Sequence, residues 1–189
     1  MLEYSHLELS DFENVKHLYT KYLNGGEEIE QWILDGLIDT TCSGVKCMDG
    51  DRMVGMISAR RGIEFTCGHQ ELVDLIAERY KDYTIFTGDM LFVHPDYRGM
   101  HIAQNLASGM RRNLIAEGCE RLVVEGWHRS EEDDVPVEGI RPYLCKSYDL
   151  IGLFEDFYKD IKAHGITCPE CGSEICYCGA KVMVLDVTE

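Results

Sequence analysis

The sequence predicts an α/β fold, in which strands and helices alternate along a chain of 189 residues. Residues 85–93 form an apolar, β-rich run that His94 and Pro95 end, as expected of a strand. A helix is predicted soon after it, because apolar residues repeat every four positions from Ile102 to Leu114. A strand, a short turn and a helix in this order are typical of an α/β crossover. The length suits a single domain, residues 1–189, with a full core.

The elements before this unit follow from the same kinds of pattern. Residues 2–9 alternate loosely and are predicted to form a first strand. Residues 10–13 read Ser-Asp-Phe-Glu, a capping-box pattern, and the apolar face of residues 12–22 predicts a helix after it. A second helix is expected around residues 27–37.

A β-hairpin is predicted next, followed by a longer connection. Residues 40–48 and 52–59 are strand-like, and the Asp-Gly-Asp sequence at 49–51 is a typical hairpin turn. Residues 61–83 exceed a simple strand connection, and apolar spacing at 72–80 predicts a short helix inside them. This insertion either shapes a pocket or covers a sheet edge.

The C-terminal third is predicted to add two strands, a helix and two insertions. Residues 121–127 are expected to form a strand parallel to the one at 85–93. Apolar spacing at residues 150–161 predicts an amphipathic helix that ends near Gly165. Residues 181–187 are expected to form the last strand.

Residues 128–147 are predicted to form an acidic loop insertion. They contain four consecutive carboxylates at 131–134 and a helix-breaking proline, Pro136. Such a run is either a solvated loop or an attractor for a polycationic acceptor.

Composition and charge restrict the partners. Eighteen basic and 34 acidic residues give a net charge of −16, which argues against nucleic acid or an anionic membrane as a partner. The charge suits a cationic substrate, although acidic surfaces also serve solubility alone. Since no apolar run spans a bilayer and the first residues are not a signal peptide, we expect a cytoplasmic protein with reduced thiols. A homodimer is compatible with the sequence.

The turn between the central strand and helix, residues 96–100, has the features of an anion-binding site. A helix N-terminus leaves its first backbone N–H groups without partners, and the helix dipole adds partial positive charge there. Gly99 allows close approach of the backbone, and the forked donors of Arg98 suit phosphate. The sequence therefore predicts phosphate binding at this turn.

Residues 91–103 read Leu-Phe-Val-His-Pro-Asp-Tyr-Arg-Gly-Met-His-Ile-Ala, which resembles the acyl-CoA-binding motif of the GNAT superfamily of N-acyltransferases. In that motif a hydrophobic strand leads to (Arg/Gln)-x-x-Gly-x-(Gly/Ala) at the start of a helix. Arg98 fills the first position and Ala103 the last, whereas His101 stands where the family usually has glycine. The resemblance implies a mixed sheet of about six to seven strands, flanked by helices, with splayed parallel central strands.

The same resemblance implies acetyl-CoA as the acyl donor. The pantetheine arm would pair with the strand backbone as an added strand, and the turn would bind the pyrophosphate. The His101 side chain either points outward and leaves this site intact or weakens cofactor binding. The expected cofactor-binding residues are Leu91, Phe92, Val93, Arg98, Gly99, Met100, His101, Ile102 and Ala103.

The implied reaction transfers an acetyl group to a primary amine of a small molecule or a protein. Asp89 stands where many family members have an acid that removes the amine proton through water, and the alternative is a solvent-facing strand residue. The Phe157-Tyr158 pair resembles the family's Phe-Tyr, so Tyr158 is the expected general acid for the CoA sulfur, unless it is a core aromatic. The competing interpretation is a GNAT-fold acyl-CoA-binding or protein-interaction module with weak or lost catalysis.

Four cysteines form the second strong pattern, inside a predicted metal-binding loop at residues 166–180. Their spacing is C-x2-C-x4-C-x-C, and its first half resembles the turn of a zinc knuckle. Four thiolates would complete a closed tetrahedral site, so we expect structural zinc, with an iron–sulfur cluster or free thiols as alternatives. The expected ligands are Cys168, Cys171, Cys176 and Cys178.

Overall fold

The structure, a computed structural model, describes residues 1–23, 28–38, 42–128, 136–168, 171 and 175–188. Within these residues, seven strands form one mixed sheet, and α-helices cover both of its faces. The strands are β1 (Leu2–His6), β2 (Cys42–Asp49), β3 (Arg52–Arg61), β4 (Ile85–Val93), β5 (Arg121–His128), β6 (Ser147–Phe154) and β7 (Gly179–Asp186). The helices are α1 (Phe12–Leu23), α2 (Glu28–Ile38), α3 (Gln70–Arg79), α4 (Ile102–Ala116) and α5 (Pro136–Leu144).

The strand order is β1-β2-β3-β4-β5-β7-β6, and β4 and β5 are the parallel pair at its centre. These two strands pair over only three residues each, from Ile85 with Arg121 to Thr87 with Val123. Beyond that point β4 stays paired with β3, and β5 stays paired with β7. The facing edges of β4 and β5 therefore separate, which confirms the mixed sheet with splayed central strands.

Two hydrophobic layers lie on opposite faces of the sheet. Because strand side chains alternate, Val123 of β5 belongs to one layer and its neighbours Leu122 and Val124 belong to the other. One layer, called here the α1 face, includes buried residues of α1, α2 and α3. The other, called the α4 face, includes the buried residues of α4 and α5. The predicted apolar row of α4 is confirmed, since its residues at 102, 106, 110 and 114 are all buried.

The first helix begins differently from its predicted cap. The sequence pattern at residues 10–13 favours a capping box there, whereas the structure ties Glu8 to Asp11. The Glu8 backbone N–H donates to the Asp11 carboxylate at 2.8 Å, and Lys46 also donates to that carboxylate at 2.6 Å. The buried Asp11 therefore joins the start of the helix to β2.

The helix predicted at residues 150–161 is wrong. Residues up to Phe154 form β6, an edge strand that pairs antiparallel with β7, and only a short 3-10 turn, Ile161–His164, precedes Gly165. Gly152 inside this stretch disfavours a helix, and backbone pairing with β7 decides the outcome. Gly165 does end the turn, with φ at 77°.

The loop predicted at residues 128–147 is also partly wrong, because α5 occupies much of it. Pro136 is the first residue of this helix, a position where proline is favoured because its missing N–H has no partner to lose. Ile140 and Leu144 are buried against the α4 face. The four carboxylates at 131–134 lie outside the described residues. None of the helices in the described part of the chain is long and apolar enough to cross a membrane.

Candidate functional site

The turn before α4 has the backbone shape that the sequence motif requires. Gly99 has φ at 79° and His101 has φ at 60°, so both lie in the left-handed region. His101 thus keeps the conformation that glycine adopts readily, at a cost of roughly 1–2 kcal/mol for a residue with a side chain. Its side chain is exposed. The Asn105 N–H donates to the His101 carbonyl at 3.2 Å, so the N–H groups at 102–104 are the free donors of the helix start.

The side chains of the motif divide between surface and core. Arg98 and Met100 are exposed, and within the described residues no carboxylate forms an ion pair with Arg98. Ile102 is buried in the α4 face, and Ala103 packs against it. Ile102 and Ala103 can therefore contact a ligand at the turn through their backbone N–H groups, while Arg98 can contact it with its guanidinium.

The cleft between β4 and β5 begins at Gly88. A Cβ added there would lie 3.3 Å from Val124 Cγ1, so the strands are still close at this level. Further along β4, Leu91 to Val93 pair with β3 on one edge and face the opening on the other. The Phe92 side chain is buried on the α1 face, with its ring centroid 4.5 Å from that of Tyr22. One side of the cleft is thus the edge of β4 at Leu91 to Val93, which has no strand partner among the described residues.

Asp89 occupies a bulge in β4, because Ser58 and Ala59 of β3 pair with residues 90 and 88. Its carboxylate accepts hydrogen bonds from Trp32 Nε1 at 3.2 Å, Ser58 Oγ at 3.0 Å and Tyr19 Oη at 3.4 Å. Arg60 Nε lies 3.8 Å away as an ion-pair partner. The bulge therefore turns Asp89 toward the α1 face, where donors from α1, α2 and β3 surround it.

The Arg60 guanidinium is fixed beside Asp89 by Trp32. Its Cζ atom lies 3.8 Å from the centre of the Trp32 ring, and Nη2 donates to the Trp32 carbonyl at 2.8 Å. Glu64 lies in the same region at the surface, where partial burial of its carboxyl, opposed by the charge of Arg60, raises its pKa. The α1 face of the cleft thus combines several carboxylates with one fixed cation.

Glu125 is a carboxylate that the sequence analysis missed. It lies on β5 just beyond the last pair with β4, on the same face of the strand as Val123. Thr66 donates a hydrogen bond to its Oε1 atom, whereas the buried Oε2 atom has no partner among the described residues. Burial raises the pKa of Glu125 to about 7, and the charge of Asp89 adds to this rise. A lone glutamate in an apolar strand was the signal available in the sequence.

Tyr158 does not lie on a helix, in contrast to its predicted setting. It is only 2% exposed, and its ring stacks on Trp127 with centroids 4.2 Å apart and planes 21° apart. Burial raises the pKa of its phenol well above the ordinary value, and the charge of Glu125 acts in the same direction. Tyr158 is therefore buried on the α1 face, near Glu125.

The family comparison shows which family the chain belongs to. The model of the acetyltransferase (GNAT) family matches residues 4–132, which include the turn, the cleft, Asp89 and Glu125. The chain belongs to the acetyltransferase (GNAT) family. It is an acyltransferase by family, and the cleft between β4 and β5 is its candidate active site.

Solved structures of GNAT proteins share this fold at low identity. Arabidopsis thaliana NAA60 in complex with acetyl-CoA has a TM-score of 0.69 at 13% identity, with 100% of both chains covered. The ribosomal-protein-S18-alanine N-acetyltransferase from Escherichia coli has a TM-score of 0.63 at 12% identity, covering 99% of this chain and 94% of that one. The Drosophila melanogaster polyamine N-acetyltransferase has a TM-score of 0.65 at 14% identity, covering 98% and 100%. A search of curated proteins found no match to this sequence.

In this GNAT acetyltransferase the four-cysteine cluster lies beyond the residues that the family model matches. The four Sγ atoms lie within 4.8 Å of one another. Cys168 and Cys178 are 3.9 Å apart, Cys171 and Cys176 are 3.9 Å apart, and Cys171 and Cys178 are 3.7 Å apart. A tetrahedral ion with Zn–S bonds of about 2.3 Å requires S···S edges of about 3.8 Å. The spacing therefore fits one tetrahedral ion and is too long for disulfides.

Backbone N–H groups point at these sulfurs, as in a metal-binding turn. The Cys171 N–H donates to Cys168 Sγ at 3.4 Å, and the Cys178 N–H donates to Cys176 Sγ at 3.4 Å. A further N–H, from Tyr177, lowers the pKa of Cys171, whereas burial raises the pKa of Cys178 to about 11. Three of the four cysteines are buried. The donor set is thus sulfur-only and largely closed to solvent.

Proposed function

We propose that this GNAT acetyltransferase transfers the acetyl group of acetyl-CoA to a primary amine, and that the acceptor is cationic. The observation that carries the proposal is a cluster of carboxylates on the α1 face of the cleft, from Asp89, Glu64 and Glu125. Among the described residues, Arg60 is the one fixed cation beside this cluster. Such a site favours an ammonium group in a chain of net charge −16. The acceptor would therefore approach from the α1 face.

Acetyl-CoA would bind along the opposite margin of the cleft. Arg98 and the backbone of Gly99 to Ala103 are proposed to hold the pyrophosphate, because an exposed guanidinium and the free N–H groups of α4 converge there. The unpaired edge at Leu91 to Val93 would pair with the pantetheine arm. The thioester would then reach the level of the β4 bulge, beside Asp89.

A carboxylate is proposed to remove the proton of the ammonium before attack on the thioester. Asp89 is the candidate from the sequence, but four donors already surround it. Glu125 has one oxygen without a partner among the described residues and a pKa of about 7, which suits a base near neutral pH. We therefore assign proton removal to Glu125, directly or through water, and assign to Asp89 the electrostatic attraction and orientation of the amine.

The leaving CoA thiolate requires a donor as the C–S bond breaks and the C–N bond forms. Tyr158 remains the proposed donor, supported by the sequence resemblance and by its position near Glu125. Thr66 donates a hydrogen bond to Glu125, and a water beside this pair is an alternative route for the proton.

We further propose that the four cysteines hold one structural zinc ion. The support is the sulfur-only donor set and its near-tetrahedral spacing, which leaves no open position for a substrate. Elemental analysis should give about one zinc per chain, and replacement of all four cysteines by serine should remove it. Zinc retained by the quadruple variant would exclude this site.

The acceptor is tested with a panel of amines. Purified protein with acetyl-CoA is assayed for release of free CoA with spermidine, agmatine, a basic peptide with a free N-terminus, and glycinamide. We expect acceptors that carry positive charge in addition to the reacting amine to give a kcat/KM at least tenfold above that of glycinamide, and product mass will identify the acetylated amine. Acetyl-CoA binding by calorimetry without turnover on any amine would contradict the proposed reaction and favour a binding module.

A further inference from the structure

We infer that a metal ion held by the four cysteines positions Trp127 and Tyr158, and so fixes the acceptor-side wall of the cleft. This inference rests on the proposed zinc site and extends the proposed acetyl transfer. The ion would take no part in the chemistry. It would fix the position of the part of β5 that lies beyond Val123 and is no longer paired with β4.

The first step of the argument is that the cysteine cluster is directly joined to the start of β7. Cys178 is the last ligand of the cluster, and β7 begins at the next residue, Gly179. A Cβ on Gly179 would lie 2.4 Å from the Phe154 carbonyl and 2.9 Å from the His128 ring, so this residue sits tightly between β6 and β5. Any displacement of Cys178 is therefore transmitted directly to the start of β7.

The second step is that β7 holds the cleft half of β5. Beyond Val123, β5 is no longer paired with β4, and its remaining backbone partner is β7. Trp127 is paired with Ala180, two residues after Cys178. The section of β5 that carries Glu125 and Trp127 thus depends on the first residues of β7 for its position.

The third step is a direct contact between the cluster and the aromatic wall, next to a buried donor that has no partner among the described residues. The Tyr158 N–H donates to the Cys178 carbonyl at 3.3 Å. The Trp127 Nε1 atom is buried and has no hydrogen-bond partner among the described residues. Trp127 packs in the same layer as the four cysteines, and a metal-bound thiolate is a better acceptor than a thiol, so metal loading would give this donor a partner. Trp127 and Tyr158 would then be fixed as one stacked unit.

The wall formed in this way adjoins the proposed base. Glu125 and Trp127 lie two residues apart on one face of β5, roughly 7 Å apart along the strand. The turn that would hold the CoA pyrophosphate lies instead at the start of α4, whose buried residues belong to the opposite layer. Loss of the metal should therefore disturb the acceptor side and leave binding of CoA largely intact.

The experiment uses the intrinsic fluorescence of Trp127. The chain has two tryptophans, so Trp32→Phe leaves Trp127 as the single emitter. In this background we expect metal removal by a chelator to shift Trp127 emission to longer wavelength, and zinc to restore it with a one-to-one endpoint. Cobalt should restore it too and give the sulfur charge-transfer bands of a tetrahedral Co(II)–thiolate site. This readout requires no turnover, so it stands even if the acetyl transfer proposal fails.

Turnover and cofactor binding are then compared in otherwise wild-type protein. Metal removal should lower kcat/KM for the amine by about 10–100-fold, as expected for a displaced wall, and change the acetyl-CoA dissociation constant less than about twofold. Cys145→Ser, at a buried cysteine outside the cluster, is the matched control and should retain metal, emission and activity. Trp127→Phe keeps an aromatic stack without the N–H donor, and it should retain zinc but release it faster to a chelator.

Three results would overturn the inference. One is a metal-loaded and a metal-free protein with identical Trp127 emission and identical kinetics. Another is loss of the whole far-ultraviolet circular dichroism signal on metal removal, because the ion would then hold the entire fold rather than this wall. The third is release of zinc from Trp127→Phe at the wild-type rate.

Discussion

Asp89 on β4 and Glu125 on β5 lie on either side of the opening where these two strands separate at the centre of the sheet. Asp89 is surrounded by donors from three elements, whereas Glu125 has one buried oxygen without a partner among the described residues. The nearby negative charge adds to the effect of burial in raising the pKa of Glu125 to about 7. The two groups therefore differ in what they can do, since Asp89 is anchored and Glu125 is able to exchange a proton near neutral pH.

Replacing Glu125 by glutamine should remove the base without changing the shape of the site. We expect kcat to fall by about 10²–10⁴-fold, as is usual for loss of a general base. The wild-type kcat/KM should fall as the pH drops below about 7, because Glu125 becomes protonated there, and Glu125→Gln should lack this acidic limb. Steady-state kinetics from pH 5.5 to 9 test this, with the exposed Glu71→Gln as control. Full activity in Glu125→Gln would return proton removal to Asp89.

The same substitution should stabilise the fold at neutral and higher pH. The pKa of Glu125 rises from 4.5 to about 7 on folding, so ionisation of this group opposes folding, and its stability contribution is lost as the pH rises between these values. The free energy of unfolding of Glu125→Gln, relative to wild type, should therefore rise by up to about 3 kcal/mol from pH 4.5 to pH 8. Urea unfolding at a series of pH values measures it, and a difference independent of pH would contradict the buried carboxyl.

The hydrogen bond between Trp32 and Asp89 should be measurable as a coupling energy. Trp32→Phe removes the N–H donor and Asp89→Ala removes the acceptor, and their effects should be non-additive by about 1–2 kcal/mol because the bond is charge-assisted. Urea unfolding of the two single variants and the double variant gives this value. Pairing Trp32→Phe with the distant Glu71→Gln should give additive effects, and additivity in the Trp32–Asp89 pair would mean that the bond contributes nothing.

Arg98→Ala should weaken acetyl-CoA binding by about 10–100-fold, the usual range for a lost hydrogen bond between charged groups. Arg112→Ala is the matched control, since it removes an exposed arginine of α4, the helix that follows the turn with Arg98. Calorimetric titration with acetyl-CoA compares the two, at low and high salt. An unchanged dissociation constant for Arg98→Ala would remove this arginine from the cofactor site.

His101→Gly tests whether the left-handed backbone at the start of α4 carries a cost. Glycine adopts a φ near 60° without the clash of a Cβ atom, so the variant should gain about 1 kcal/mol in free energy of unfolding. Acetyl-CoA affinity should stay equal or increase slightly, because the N–H groups of the turn keep their directions. A variant that binds acetyl-CoA more weakly would show that the imidazole itself contacts the cofactor.

The sequence predicted the parts of the fold that are decided locally. The unit from β4 to α4 has a strand pattern, a turn with Gly99 and a helical repeat, and each pattern is sufficient alone to predict its own element. The stretch that became β6 carries apolar residues at helical spacing, so only its pairing with β7 reveals it as a strand. Local pattern is a poor guide at a sheet edge, where the partner strand is distant in sequence.

The candidate site was predicted only in part, because some of its properties also depend on residues that are distant in sequence. The turn before α4 is contiguous in sequence, so its left-handed backbone could be predicted from the motif, and phosphate binding there is a prediction. Glu125 acquires its properties from Thr66 and Asp89, which lie 59 residues away along the chain in one case and on a different strand in the other. The cysteine spacing pointed to a metal site, but the contact of Cys178 with Tyr158 depends on tertiary structure.

The left-handed backbone of His101 also bears on how such chains are recognised. Phosphate binding at such a turn would depend on a pair of dihedral angles and on the directions of N–H groups, and glycine is only the residue that adopts them at the lowest energetic cost. Histidine, asparagine and aspartate reach this region of the Ramachandran map more readily than other residues with side chains. Sequence patterns that demand glycine at this position would therefore reject acyltransferases whose backbones satisfy the requirement.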